Sequence, residues 1–438
     1  MRITSMRKRP WAAAIGLLAV AGLVACGSTG PSRGGAGGDS DAPLVWAVSG
    51  AADAIYKQSV TRYNKANDGA QLRMQLFQND PFKQKLRVAM GADRPPDVFF
   101  GWGGGILDSY VQAGDVHDLS AEMKTDDWQQ RFFPNVMDAV TFDDKVYGVP
   151  MNGVQPVVMF YNKDVFREHD AQPPKTWPEF LALVKKFKQA GVQPVALGGA
   201  SKWPNLMYEE YLVDRIGGPQ VFEDVLAGKP DAWSHPAFLK ANTMIQELVD
   251  QGAFGKGFAS VDYDIGQQSA LLYTGKAAME VMGTWEFGSI LDAQPDFIKK
   301  GKLGWASFPT VPGGKGDPAN IVGNPANFYS VSQKSTHKEA AVDYLRNGTM
   351  DDTYIDALIG VGQVPLVTGI DERFADADNG EWLNYVYDTT ESAPSFQMSW
   401  DQALPPEQAE ALLTNLDQLF LKKITPRQFS ANMNKTLA

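Results

Sequence analysis

The chain has 438 residues, of which 44% are hydrophobic, and its formal net charge is −11. This length favours two domains over one small core, and the composition is that of a globular protein. The acidic balance argues against nucleic acid and anionic lipid surfaces as partners, because both repel a protein of the same charge.

The first 25 residues predict a secretory signal peptide. Basic residues occupy positions 2 and 7–9, an apolar run covers residues 11–23, and Cys26 follows at once. The run is shorter than the roughly 20 apolar residues that a membrane-spanning helix needs. The sequence Leu23-Val24-Ala25-Cys26 resembles the lipobox of bacterial lipoproteins, which implies cleavage before Cys26 and a diacylglycerol on its thiol. The alternative is an ordinary signal peptide with an accidental cysteine.

Residues 26–42 are predicted to be a flexible tether that begins at the lipidated cysteine. Glycine, serine and proline dominate residues 27–42, and no apolar periodicity is present. A chain of this kind reaches about 20 Å on average. We therefore expect an extracytoplasmic protein that is lipid-anchored to the outer face of the cell membrane.

Strand and helix patterns alternate after the tether. Apolar or alternating runs predict strands at residues 44–48, 72–77 and 97–100, with helices at 52–65 and 81–90 between them. This spacing predicts right-handed crossovers and a parallel sheet. Further strands are predicted at residues 157–161, 194–197, 278–282, 303–307 and 328–331, and the chain from Pro405 onward is predicted to be largely helical.

Three helices have explicit start signals. Thr176 and Glu179 are spaced as a capping box, and Gly191 is a suitable stop for the helix that they begin. The same pattern recurs at residues 336–339. Residues 425–428 combine a capping threonine with a proline at the first helical position.

The residues that common catalytic centres need are scarce. Cys26 is the only cysteine, so the folded part contains neither a disulfide nor a thiolate metal site. The four histidines, at positions 117, 169, 235 and 337, lack a paired spacing, and no phosphate-binding P-loop motif is present. We expect no metal and no cofactor.

Polar and aromatic residues cluster after the predicted strands, beside glycine or proline. Ligands bind at this edge of open α/β sheets, and tryptophan offers a flat apolar face that suits a sugar ring. The candidate ligand-binding residues are Asn79, Asp80, Trp102, Gly103, Asn152, Trp203, Trp285, Glu286, Asn324, Asn327, Trp400 and Asp401.

Each candidate has a purely structural alternative. Asn79 and Asp80 are also suited to capping the following helix, and any of the tryptophans is also suited to core packing. The glycines after Trp102 leave backbone N–H groups open to a ligand. Glu286 and Asp401 fit either an acid–base pair or acceptors for sugar hydroxyls, and sequence spacing does not give the carboxyl separation that a glycosidase needs.

Several segments together resemble the family 1 extracellular solute-binding proteins of bacterial ABC importers, particularly the sugar-binding lipoproteins of actinobacteria. They span essentially the whole chain: PPDVFFGWGGG (95–105), YGVPMNGVQPVVMFYNKDVF (147–166), KTWPEFLALVKKF (175–187), GKAAMEVMGTWEFG (275–288), GNPANFYSVS (323–332) and SWDQALPPEQAEALL (399–413).

The resemblance implies an α/β, two-lobe, periplasmic-binding-protein-like (class II) fold with several hinge crossovers. Crossings are expected near residues 150–153, 309–312 and 360–365. The N-terminal lobe is then 43–151 plus 311–362, and the C-terminal lobe is 152–310 plus 363–438. By similarity, Gln155 contacts the ligand, Trp285 and Trp400 stack on it, and Trp102 and Gly103 lie where the family places a tryptophan and an acid.

The implied function is capture of a di- or oligosaccharide, with xylobiose or a cello-type sugar as candidates. A monomeric, lipid-anchored binding protein would deliver the sugar to an ABC permease pair that a cytosolic ATPase drives, without enzymatic activity. The alternatives are a binder of another small solute such as a peptide or polyamine, an anchored carbohydrate-active hydrolase, and a structural surface protein. A polyamine site would be ringed with carboxylates, whereas the loops here offer mostly tryptophan, asparagine and glutamine.

Overall fold

The computed structural model of the chain describes residues 42–67 and 71–437. The predicted signal peptide, Cys26 and nearly all of the predicted tether lie outside these residues. Within the described ranges, every helix falls short of the length and apolar character that crossing a bilayer requires.

Short strands and longer helices make up the described chain. The strands in chain order are β1 (Leu44–Val48), β2 (Arg73–Phe77), β3 (Val98–Gly101), β4 (Thr141–Phe142), β5 (Lys145–Val146), β6 (Val149–Pro150), β7 (Gln155–Asn162), β8 (Gln193–Ala196), β9 (Ala277–Gly283), β10 (Leu303–Ala306), β11 (Ile321–Asn324), β12 (Phe328–Val331) and β13 (Phe396–Met398). The α-helices in chain order are α1 (Asp53–Ala66), α2 (Asn79–Gly91), α3 (Gly104–Gln112), α4 (Ser120–Met123), α5 (Pro134–Met137), α6 (Lys163–Glu168), α7 (Trp177–Gln189), α8 (Trp203–Gly217), α9 (Gln220–Leu226), α10 (Pro236–Gln251), α11 (Gln267–Tyr273), α12 (Trp285–Ala293), α13 (Pro295–Lys299), α14 (Lys338–Asn347), α15 (Asp352–Gly360), α16 (Gly380–Glu391), α17 (Trp400–Ala403), α18 (Pro406–Phe420) and α19 (Pro426–Asn434).

The first lobe is built on a five-stranded sheet in the order β2-β1-β3-β12-β6. β1 pairs in parallel with β2 and with β3, as the strand–helix–strand alternation predicts. β12 runs antiparallel to β3 on one side and to β6 on the other. Because β12 follows β3 by more than 200 residues, the later chain must return to this lobe to complete its sheet.

The second lobe is built on a six-stranded sheet in which β7 is central. The strand order is β13-β11-β7-β9-β8, and β10 also pairs with β7. All but one of the eight residues of β7 are buried, which explains why this strand is a nearly continuous hydrophobic run. Helices α8 and α10 pack against each other in this lobe, and the ring of Phe287 stacks on Trp382 with centroids 4.9 Å apart.

Three neighbouring segments connect the lobes. Met151 N–H donates to Asn327 O at 2.9 Å, and Val154 N–H donates to Val364 O at 2.9 Å. Gly153 N–H donates to the Gln363 side chain at 3.2 Å. A Cβ on Gly153 would lie 2.8 Å from Val364 O, so only glycine permits this approach of the backbones. The crossing strands therefore form one hydrogen-bonded hinge.

The predicted crossings near residues 150–153 and 360–365 agree with this hinge, but the one near 309–312 is wrong. Thr310 N–H donates to Lys175 O, so that segment stays within the second lobe. The chain crosses instead at residues 325–327, between β11 and β12. The predicted lobe boundary at residue 311 is therefore displaced, because β11 pairs with β7 of the second sheet.

Most predicted elements lie within two residues of the observed ones. The capping box at Thr176 and the threonine cap at Thr425 are confirmed, and the latter is a full capping box with Gln428. Helix α14 begins after His337 without a side-chain cap, so the box predicted at residues 336–339 is wrong. Helix α2 begins at Asn79 with Gln78 as its N-cap, so Asn79 and Asp80 lie in the first turn rather than at the cap. The strands β11 and β13 and the two-residue strands β4, β5 and β6 were not predicted.

Candidate functional site

A cavity of about 490 Å³ lies between the two lobes, next to the hinge. Residues that follow β1 and β3 line it on the first lobe, and residues that follow β8, β9 and β11 line it on the second. Strand ends of both sheets meet here, which is where ligands bind in open α/β folds. Its volume is that of a small-molecule site.

Aromatic side chains form the walls of the cavity. On the second lobe, the ring of Tyr263 lies edge-on to Trp203 at 4.8 Å, and Trp203 lies 6.0 Å from Trp285. The Trp285 indole N–H donates to the Tyr263 hydroxyl at 2.7 Å, which fixes the orientation of the indole. On the first lobe, Trp102 lines the cavity and packs edge-on against Phe100 at 5.0 Å. Flat apolar faces with polar edges therefore come from both lobes.

Amide side chains form the floor of the cavity at the hinge. Asn327 Oδ1 accepts from Gln155 Nε2 at 2.8 Å and from Asn152 Nδ2 at 3.2 Å, and Asn152 Nδ2 also donates to the Tyr56 hydroxyl at 2.9 Å. Asn152 Oδ1, Asn324 Oδ1 and Asn327 Nδ2 are buried with no hydrogen-bond partner among the described residues. Buried polar groups are normally satisfied, so these amides retain capacity for a polar ligand.

The charged side chains around the cavity are mostly acidic. Asp53, Asp264, Asp292 and Asp401 line it together with a single described cation, Lys83. Lys83 Nζ lies 3.3 Å from Asp401 Oδ2 and 4.8 Å from the centre of the Trp102 ring. Because Lys83 is already paired with Asp401, no unpaired cationic side chain of the described lining is available to bind an anionic ligand. No cluster of three or more metal-ligating side chains occurs in the described part of the chain.

Nine of the thirteen predicted site residues line this one cavity, and one of the nine is Gln155, which the family resemblance suggested. They come from seven separate parts of the chain: Asn79, Trp102, Asn152, Gln155, Trp203, Trp285, Asn324, Asn327 and Asp401. Their role in ligand binding remains a prediction.

Trp400 lies in the core of the second lobe rather than in the cavity. Its side chain is fully buried and stacks on Phe222 with centroids 4.3 Å apart, and its indole N–H donates to Gln397. Consecutive residues of a helix point about 100° apart, so α17 directs Asp401 to the cavity and Trp400 away from it. The predicted stacking role does not fit this position.

Gly103 and the two glycines after it serve close packing. Gly103 has a φ of +79°, and a Cβ there would lie 2.4 Å from Ala139 O. A Cβ on Gly104 would lie 2.6 Å from Gln402 O, and one on Gly105 would lie 2.5 Å from Ala403 O. The start of α3 on the first lobe therefore rests directly on α17 of the second, and this contact replaces the ligand contact predicted for Gly103.

Glu286 and Asp80 are not among the residues that line the cavity. Glu286 is fully buried and accepts from the Tyr263 hydroxyl at 2.6 Å, and burial raises its pKa to about 7. It therefore does not face Asp401 across the cavity, as an acid–base pair would. Asp80 N–H donates to Asp264 Oδ2 at 3.0 Å across the cleft, and burial, with the nearby Asp264, raises the pKa of Asp80 to about 6.

Sequence reasoning missed Tyr263, Lys83 and Asp264. Tyr263 and Asp264 lie in the loop before α11, where acidic residues and glycines surround a tyrosine, a pattern that marks a turn but no particular site. Lys83 belongs to the regular pattern of α2. Only the folded chain shows that these three residues meet the predicted ones.

Known proteins resemble this chain over most of its described length. The model of the bacterial extracellular solute-binding protein family matches residues 47–352. An uncharacterised ABC transporter extracellular-binding protein of Pyrococcus horikoshii is 27% identical over 265 residues, which make up 60% of this chain and 56% of that protein. The diacetylchitobiose binding protein of Streptomyces coelicolor is 25% identical over 355 residues, or 78% of this chain and 79% of that protein. A solved structure from work on xylan utilization by the thermophilic bacterium Caldanaerobius polysaccharolyticus superposes with a TM-score of 0.82 at 30% identity, and the match covers 91% of this chain and 100% of that one.

Proposed function

Because the chain belongs to the family of bacterial extracellular solute-binding proteins, we propose that it captures a di- or oligosaccharide outside the cell and delivers it to an ABC importer. One observation carries this proposal. The interlobe cavity combines the indole faces of Trp102, Trp203 and Trp285 with a floor of incompletely satisfied amides. Sugars present apolar ring faces and a rim of hydroxyls, so this wall and floor complement both parts of such a ligand.

Short neutral oligosaccharides of the xylan or cellulose type are our candidate ligands. The pairing of Lys83 with Asp401 leaves three lining carboxylates without a cation, which disfavours sugars that carry acidic groups. The resemblance to a structure from work on xylan utilization supports xylobiose, and the resemblance to a diacetylchitobiose binder supports a β-linked disaccharide more broadly.

Thermal-shift measurements with a sugar panel test this proposal. The panel contains xylobiose, xylotriose, cellobiose, diacetylchitobiose, maltose and the matching monosaccharides, with a dipeptide and putrescine as non-sugar ligands. A sugar present at 100 times its dissociation constant should stabilise the protein by about 2.7 kcal/mol. Trp285→Ala, measured in parallel, should reduce the shift for the same sugar. Stabilisation by the dipeptide or putrescine alone would contradict the proposal.

We propose that sugar binding closes the lobes and that no reaction follows. The cavity is lined from both lobes, so a ligand gains its full set of contacts only when they approach each other. Solution scattering should give a smaller radius of gyration with saturating sugar than without it. Incubation with 4-nitrophenyl xyloside and cellobioside should release no nitrophenol; release above the rate with heat-denatured protein would instead support the anchored hydrolase.

We further propose that Cys26 anchors the protein to the outer face of the membrane through a lipid. The support is the Leu-Val-Ala-Cys sequence after a basic and apolar start. Cys26→Ala should release the protein into the medium or leave it unprocessed, whereas Ser28→Ala should leave it membrane-bound. A Cys26→Ala protein that stays with membranes after a high-salt wash would show that lipidation is not the anchor.

A further inference from the structure

A chain of hydrogen bonds runs from the cavity wall into the second lobe. The Trp285 indole N–H donates to the Tyr263 hydroxyl at 2.7 Å, and the Tyr263 hydroxyl donates to Glu286 Oε2 at 2.6 Å. Trp285 and Tyr263 line the cavity, whereas Glu286 is fully buried. The chain therefore links a cavity aromatic to a carboxyl group that a ligand does not reach.

Glu286 meets a second buried carboxyl group, that of Glu280 on β9. After burial, the charge of Glu286 contributes to the raised pKa of Glu280, and Oε1 of each carboxyl group is buried with no hydrogen-bond partner among the described residues. Glu280 Oε2 accepts from Gln268 Nε2 at 3.1 Å. Two neighbouring carboxyl groups that are fully buried do not both ionise, so a proton held between them would satisfy the unpaired oxygens.

We infer that Tyr263 is a positioning residue for Trp285, and that the protonation state of the buried Glu280–Glu286 pair sets how firmly the indole is held against a bound sugar. This inference rests on the proposed function, because it assigns a regulatory group to the same site. Tyr263 also packs edge-on against Trp203 at 4.8 Å, so a single side chain orients both tryptophans of the second-lobe wall.

The groups around Glu286 determine the direction of the pH effect. Tyr263 faces it from the loop before α11, Ser269 from α11 and Glu280 from β9, and Tyr208 of α8 lies beyond Glu280. Burial raises the pKa of Glu286 to about 7 and that of Glu280 well above its ordinary value. Burial also raises the pKa of Tyr263, so its hydroxyl remains a donor across the neutral range.

Deprotonation of Glu286 should therefore tighten the hold on Trp285. Above pH 7 the carboxylate makes a charge-assisted bond with the Tyr263 O–H, which also makes the Tyr263 oxygen a better acceptor for the indole N–H. Below pH 7 the bond joins two neutral groups and weakens. We expect sugar affinity to fall roughly two- to fivefold from pH 8 to pH 6. By reciprocity, sugar binding near pH 7 should release protons.

Indole resonances of the sugar-free protein test the positioning step without any ligand. With ¹⁵N-labelled tryptophan, the Trp285 N–H peak is identified as the one that Trp285→Phe removes. In the wild-type protein this peak should titrate with a midpoint near pH 7. Glu286→Gln should abolish the titration, and Tyr263→Phe should move the peak upfield. Glu209→Gln, which changes a buried carboxyl on α8 outside this chain, should leave the titration intact.

Calorimetry across the same pH range tests the link to affinity, using the panel sugar that gives the largest thermal shift. The wild-type protein should lose affinity below pH 7, Glu286→Gln should give a flat profile, and Glu209→Gln should reproduce the wild type.

An indole peak that is flat with pH, or unmoved by Tyr263→Phe, would overturn the positioning role. A titrating peak with pH-independent affinity would overturn the link to binding. If no panel sugar binds, the proposed function and the link to affinity fail together, while the indole titration still decides the positioning role.

Discussion

Lys83 of the first lobe and Asp401 of the second form an ion pair at the edge of the interlobe cavity. The ammonium lies 3.3 Å from Asp401 Oδ2 and also sits over the Trp102 ring. The Asp401 side chain is only 7% exposed and takes a further hydrogen bond from the Gln402 amide at 2.7 Å. The pair thus joins the lobes beside residues proposed to hold the sugar.

Lys83→Met should destabilise the protein by about 1–3 kcal/mol, because it leaves the Asp401 carboxylate buried without its cation. It should also increase the radius of gyration of the sugar-free protein. Arg87→Met is the matched control, since Arg87 pairs with Glu410 across the same lobes but both side chains are more than half exposed. Exposed pairs contribute little, so the control should stay within about 0.5 kcal/mol of the wild type. Urea unfolding and solution scattering measure both effects, and equal losses in the two variants would contradict this role for Lys83.

Trp285→Ala should weaken sugar binding, whereas Trp400→Ala should reduce the stability of the fold. Trp285 lines the cavity, so its loss should weaken sugar binding by roughly 1–4 kcal/mol and lower the melting temperature little. Trp400 is fully buried against Phe222, so its loss should cost about 3–5 kcal/mol of stability. Calorimetric titration and urea unfolding separate the two. A stable Trp400→Ala protein with lost affinity would restore the stacking role predicted from the sequence.

Gly105→Ala should introduce a steric clash that separates the two lobes at the contact between α3 and α17. The added methyl carbon would lie 2.5 Å from Ala403 O, so α3 and α17 must separate, at a cost of about 1–3 kcal/mol. We expect lower sugar affinity and a larger radius of gyration at saturating sugar. Gly91→Ala is the control, because a methyl group at this end of α2 meets nothing within 4 Å. Compaction of the Gly105→Ala protein to the wild-type value would show that this contact does not limit closure.

The protein should lose stability as the pH rises from 5 to 8.5, in part through Glu210. Burial raises the pKa of Glu210 to about 8, while its carboxyl accepts from the Trp400 backbone N–H at 2.7 Å. The unfolded chain ionises this group near its ordinary pKa of about 4.3. Its contribution to stability is therefore complete below that pH and is lost as the pH rises through about 8.

Glu210→Gln should reduce this loss of unfolding free energy by roughly 3–5 kcal/mol over that range. The slope should not vanish, because burial raises the pKa values of Asp80 and Glu286 in the same direction. Glu407→Gln, on the exposed face of α18, should leave the slope unchanged. Urea unfolding at pH 5, 6.5 and 8.5 provides the measurement, and an identical slope in Glu210→Gln would rule out this assignment.

Local patterns were sufficient to predict most elements of the fold. β7 and β9 are long apolar runs, and Thr176 begins α7 through contacts within four residues, so their sequence neighbourhoods determine them. β11 was missed because its four residues include Gly323, whose φ of +140° fits only where its backbone lies against Gln155 of β7. That requirement comes from a strand more than 160 residues earlier in the chain.

The candidate site was predictable to the level of the loops but not of the individual side chains. Trp400 and Asp401 are adjacent in sequence, and the burial of Trp400 depends on Phe222, which lies 178 residues away. The importance of Tyr263 likewise depends on its contacts with Trp285 and Glu286. Sequence position shows that a residue follows a strand, whereas its orientation is set by packing partners that only the tertiary structure brings together.

The sheet order β2-β1-β3-β12-β6 also limits when this protein can fold. The first lobe lacks an inner strand until β12 has been synthesised, and the second lobe lacks an edge strand until β13 is present near residue 396. Sheets that depend on partners so distant in sequence form slowly. A chain that is synthesised from its N-terminus therefore has no complete lobe until about three-quarters of its residues have been added. We expect such a polypeptide to acquire stable structure only after most of the chain has been made, a property that would suit export in an unfolded state.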